Sequence, residues 1–135
     1  MKRALVAIMI AGALGVAGGA AAEGKTGLIA RGSYLVNNVM GCNDCHSPRD
    51  KDGNLIEARK FSGAKLPFGP IVPMTWAATA LPIRGLPQGW TEAQFSHFLQ
   101  TGVRPNGTHP RDPMPPYRLN VADATAVAAY MHSLH

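Results

Sequence analysis

The chain of 135 residues contains two cysteines, and both fall in "GCNDCHSPR", with His46 directly behind Cys45. Two thiols this close, backed by an imidazole, serve one of three chemistries: a redox-active dithiol, half of a zinc site, or the attachment of a haem. Each makes a different demand on the rest of the chain. This short stretch therefore constrains the fold more than any composition figure does.

A disulfide between Cys42 and Cys45 would close a loop too small to restrict the unfolded chain much. A thioredoxin-like dithiol needs a βαβ setting, which the sequence does not offer. Zinc needs two further ligands. Of His97, His109, His132 and His135, only the last two are sequence neighbours, and they lie at the C-terminal end. C-x-x-C-H is the attachment pattern of a c-type haem. A helical turn lets both thiols reach the vinyl groups along one edge of the macrocycle, and the next histidine then brings its imidazole under the iron. In this composition the full pattern arises by chance roughly once in 2,000 chains. The sequence therefore predicts one covalent haem c, with Cys42 and Cys45 as thioethers and His46 as the proximal iron ligand.

The N-terminus predicts export. Lys2 and Arg3 precede an uncharged run from Ala4, and small residues lead to Ala20-Ala21-Ala22 before Glu23. That is the layout of a secretory signal peptide over residues 1–22, with a domain over 23–135. A retained membrane anchor is the alternative, because the run is about long enough to span a bilayer. Gly12, Gly15, Gly18 and Gly19 and the A-x-A end favour cleavage. Haem attachment across the bacterial inner membrane fits the same route, so the expected location is the periplasm and membrane association is not required.

The stretch after Glu23 is only about 41% apolar and about 19% glycine plus proline. A small chain of that kind needs a staple such as a metal or cofactor. Its net charge is +3 once Lys2 and Arg3 are removed, and no basic stripe carries interleaved aromatics, which excludes nucleic acid as a partner.

Three helices are predicted. The first covers about Lys25 to Met40, with Leu28, Ile29, Leu35, Val36 and Val39 on one face and Gly32 placed for close packing. The second lies in "WTEAQFSHFLQTG": Thr91 and Gln94 form a capping box, Trp90 staples the entry and Gly102 ends it. The third opens at Asn120, with Asp123 in its first turn and Val121, Ala124, Val127, Ala128 and Met131 inward. The connections between them are long and proline-rich, and no stretch alternates well enough to be a strand. Phe61, Phe68, Trp76, Leu81, Ile83 and Leu86 are scattered along one of them. Long connections with scattered apolar residues suit a chain that wraps an apolar object.

Residues 31–49, "RGSYLVNNVMGCNDCHSPR", and residues 89–135 resemble the small monohaem cytochromes c of class I. They are most similar to the cytochrome domains that accept electrons for periplasmic dehydrogenases. The resemblance implies an all-α fold of three to four helices around one haem, with long Pro/Gly-rich loops and Gly32 and Val36 packed against Tyr130. Residues 71–84 depart from the family, whose members often carry Asn-Ile-Thr-Pro there. Trp76, Arg84 and Trp90 are then the candidates to hold the haem propionates.

The second axial position separates electron transfer from catalysis. Met40 is too close to the attachment turn to reach around, and Met131 lies on a helix as a core residue. Met114 stands in "RDPMPPYR", where flanking prolines stiffen the loop that would hold a weak thioether ligand. The resemblance places its methionine there as well. Met74 and His109 are the alternatives. The expected function is a one-electron carrier with His46/Met114 ligation. Its donor is expected to be a dehydrogenase and its acceptor an oxidase or another cytochrome. It has no catalytic residues of its own and could be a subunit of an oxidoreductase complex. The competing reading is a haem sensor or peroxidase-like protein with an open sixth position.

Overall fold

The computed structural model describes residues 17–135, so most of the predicted signal peptide over 1–22 lies outside the described residues. Within that range the chain is mostly helical: α1 spans Ala17–Tyr34, α2 Cys42–His46, α3 Glu92–Thr101 and α4 Val121–His132. The expected domain start at Glu23 falls inside α1. Among the described residues, no helix is long and apolar enough to cross a membrane. A small sheet pairs β1 (Ala64–Lys65) antiparallel with β2 (Thr79–Ala80), Ala64 opposite Ala80. The sequence predicts no strand; two residues are too few for an alternation to announce one.

The first predicted helix is corrected at both ends. It begins earlier, at Ala17, and its α-helical part stops at Tyr34. Leu35–Val39 then winds as a π turn, closed by the Met40 amide on the Leu35 carbonyl at 2.8 Å. A π turn takes more residues per revolution and shifts later side chains off the α-helical stripe. Leu35 and Val36 remain buried, whereas Val39, expected beside them, is 59% exposed. Polar contacts hold the turn: the Asn37 side-chain amide donates to the Ser33 carbonyl and to Tyr130 Oη, and Asn43 donates to Asn37 Oδ1. One asparagine thus ties α1, α4 and α2 together.

Gly32 sits where α1 crosses α4. A Cβ built there would lie 2.0 Å from the Ala126 carbonyl oxygen and 2.7 Å from Tyr130 Cβ. The obstructing atoms belong to backbone or lie close to it, so they cannot swing away. The position admits glycine alone without spreading the helices, a distortion costing about 3 kcal/mol in a packed interior. The expected meeting of Gly32 with Tyr130 is found here.

The other two helices begin and end on their local signals. Thr91 and Gln94 make the full capping box of α3, and Gly102 closes it in the left-handed region at φ 74°. Asn120 caps α4 by accepting from the Asp123 amide at 2.8 Å. Val121, expected inward, is 67% exposed because it stands at the first helical position, before the stripe of Ala124, Val127, Ala128 and Met131 turns into the core. Glu92 at the start of α3 meets His132 at the end of α4. Phe95, Phe98 and Leu99 of α3 complete this core, with Trp90 edge-on to Phe98.

The long connection after α2 is pinned from inside. Buried Ser47 accepts the Phe61 amide at 2.9 Å, and the Phe61 carbonyl accepts the amides of Ile83 and Arg84. Phe61 adopts φ 62°, an uncommon conformation for a bulky residue, held by these bonds and by full burial. Of the scattered apolar residues, Phe61, Ile83 and Leu86 are buried, but Phe68 and Leu81 are half or more exposed. The chain therefore wraps with part of that set only.

Candidate functional site

α2 opens after Gly41, which turns the chain in the left-handed region at φ 65°. Along this short helix Cys42, Cys45 and His46 stand at i, i+3 and i+4, so all three side chains share one face. That face forms one wall of a cavity of about 550 Å³, within the range of roughly 300–1,000 Å³ typical of cofactor pockets. Val36, Phe95, Phe98, Leu99 and Val127 supply apolar walls, and Met114 enters from the loop between α3 and α4. The four residues singled out from the sequence, Cys42, Cys45, His46 and Met114, line this one cavity.

His46 Nδ1 lies 2.7 Å from the Leu81 carbonyl oxygen. A carbonyl only accepts, so Nδ1 carries the proton and Nε2 keeps its lone pair for a metal. Burial pulls the His46 pKa down, against an opposing pull from the Leu81 bond, so the surroundings favour the neutral ring. The His46 carbonyl in turn accepts the Gly63 amide at 2.8 Å, which fixes the residue at both ends.

Both cysteines are unpaired thiols. Burial is the main cause that pushes the Cys42 thiol up to about 11, and it also raises Cys45, with Asp44 adding to the effect. Redox-active and metal-binding cysteines are held as thiolates by a lowered pKa. Here both environments favour the neutral thiol. Among the described residues, no group of three or more His, Cys, Asp or Glu side chains is arranged to hold a metal ion. Two thiols and one imidazole lone pair along an apolar wall suit a flat apolar group, bound covalently at one edge and ligated through its metal. The same residues would hold a haem, and a thioether on the loop would complete an iron's ligand set.

The alternative ligands are placed as follows. Met74 is 47% exposed and stands off the cavity wall. His109 is also off the wall, its Nδ1 3.1 Å from the Gly102 carbonyl. Met131 lines the cavity as a fully buried core side chain, and Met40 lines it beside the attachment helix.

The three candidates for the propionates are not brought together. Trp90 lines the cavity. Arg84 turns away, donating to the carbonyls of Leu134 and Ala58. Trp76 is off the wall, its Nε1 buried without a hydrogen-bond partner. Arg104 and Arg111 do line the cavity and were missed in the sequence. Their place on either side of "PNGTHP", in the same loop as Met114, is the signal that could have marked them. Tyr117 was also missed. Its hydroxyl donates to the Met40 carbonyl at 2.6 Å, and its phenol pKa is raised first by burial and then by neighbouring Cys42.

No protein-family model matches the chain. It is similar to one subunit of the nicotinate dehydrogenase of Pseudomonas putida, at 34% identity over 110 residues that cover 77% of this chain. The chain spans only 9% of that relative's length. It is thus related to a small part of a dehydrogenase subunit.

Proposed function

We propose that the chain is a class I-like cytochrome c, exported to the periplasm and carrying one electron at a time on one covalently bound haem. Cys42 and Cys45 are its thioether anchors, and His46 and Met114 its axial ligands. The observation that carries this reading is the convergence of those four side chains on one largely apolar cavity. When bound, the haem supplies the redox chemistry by cycling its iron between two oxidation states.

The chain's own residues do the rest. Nδ1–H of His46, held on the Leu81 carbonyl, fixes the ring and the tautomer, so that little rearrangement accompanies electron transfer. The apolar walls from α1, α3 and α4 exclude water, which favours the less charged, reduced state. The soft Met114 thioether favours ferrous iron in the same sense. Similarity to part of a nicotinate dehydrogenase subunit supports a dehydrogenase as the electron donor, with an oxidase or another cytochrome as acceptor. The protein has no catalytic role of its own and works alone or within such a complex.

A potentiometric titration of the purified protein tests this. The expected result is one reversible one-electron wave, with low-spin spectra in both states. Two electrons per chain, or a high-spin ferric spectrum that takes up cyanide at once, would contradict it.

A further inference from the structure

We propose that Tyr117 is the positioning residue that holds the Met114 loop against the haem-attachment segment. The inference rests on the assignment of Met114 as sixth ligand and adds the device that keeps it in place. The loop between α3 and α4 is anchored at three points near Met114. Before it, the Asp112 carbonyl accepts the Ala77 amide at 2.8 Å. Beyond it, the Leu119 amide donates to the Leu99 carbonyl at 3.0 Å. These two bonds reach the 76–77 segment and α3, and neither touches the stretch that carries Cys42, Cys45 and His46.

Tyr117 makes that connection. Its hydroxyl donates at 2.6 Å to the carbonyl of Met40, two residues before Cys42 and itself the closing residue of the π turn. Among the described residues, no other member of the loop hydrogen-bonds to the stretch from Leu35 to His46. Between Met114 and Tyr117 stand only Pro115 and Pro116. Proline fixes φ, so this link is stiff, and a constraint on residue 117 is passed to residue 114 with little slack. A thioether is a weak ligand and stays bound to ferric iron only where the chain keeps it in reach. The hydroxyl is therefore placed to slow the excursions that release Met114. The ring packs separately against the core, so the hydroxyl can be removed without removing the packing.

The test is Tyr117→Phe in the haem-loaded protein, read by the weak near-infrared band of a Met–Fe(III) bond and by the rate of cyanide binding. In the variant the band should persist while cyanide enters about five- to tenfold faster, as expected for the loss of one net hydrogen bond. A band in both proteins with equal cyanide rates overturns the tether and leaves the ligand assignment standing. No band in the unaltered protein overturns the ligand assignment and the tether with it. If Y117F does not accumulate, proton NMR of the unaltered ferrous protein decides. A slowly exchanging Tyr117 hydroxyl proton with a cross-peak to Met40 supports the tether, and a hydroxyl exchanging as fast as an exposed tyrosine's overturns it.

Discussion

Replacing both Cys42 and Cys45 by serine is expected to leave the chain largely unfolded and to remove it from the cell by proteolysis. The reason is volumetric. The cavity they face measures about 550 Å³ and is lined mainly by apolar side chains of α1, α3 and α4. Unfilled apolar volume in a core costs about 24 cal/mol per Å³, so an enclosed void of this size would cost on the order of 10 kcal/mol. The cavity is partly open, which lowers the figure, but a domain this small has a total stability of only about 5–15 kcal/mol. Even a fraction of the cost is decisive. Neither serine can form a thioether, so the occupant would be lost with the thiols. Circular dichroism and urea titration check this outcome. A helical, cooperatively melting C42S/C45S protein would show that the helices sustain their own packing and that the cavity has no structural occupant.

Met114→Ala is expected to do the opposite: to spare the fold and change the iron. The side chain is only partly buried and comes from a loop whose anchors, at Asp112, Tyr117 and Leu119, do not involve it. Haem should stay attached through Cys42 and Cys45, while the near-infrared Met–Fe(III) band disappears. The reduction potential should fall, because a soft thioether that favours ferrous iron gives way to water or hydroxide. Cyanide and carbon monoxide should bind readily, and some peroxidase activity should appear as a by-product of the open position. Met74→Ala is the control, since Met74 is 47% exposed and off the cavity wall. Loss of the band in M74A but not in M114A would transfer the ligand role to Met74.

What the sequence made legible follows the range of the forces involved. The ends of α3 and the start of α4 were readable because Thr91, Gln94, Gly102 and Asn120 act within four residues of themselves. Gly32 was readable because a glycine on an otherwise apolar helical face has few uses besides close approach. Val39 was misplaced because the π turn shifts it off the α-helical stripe, and the contact Asn37 makes from that turn to Tyr130, 93 positions away, leaves no mark in the periodicity of α1. At the site, Cys42, Cys45, His46 and Met114 were legible as candidates by type and spacing, and all four line one cavity. The group that orients His46 was not, because it is the backbone carbonyl of Leu81, and backbone atoms carry no sequence signature. Arg84, expected with Trp76 and Trp90 to hold the propionates, instead donates to backbone carbonyls elsewhere in the fold. Which arginine faces a cavity depends on loop geometry, and that is fixed by tertiary contacts.

The most direct test of covalent haem attachment is the mass of the purified protein after acid denaturation, followed by peptide mapping. The expected result is a chain heavier by the mass of one haem, with all the added mass on the peptide that contains Cys42 and Cys45. A chain of unmodified mass that releases its haem into acid acetone, or one that holds no haem at all, would contradict it.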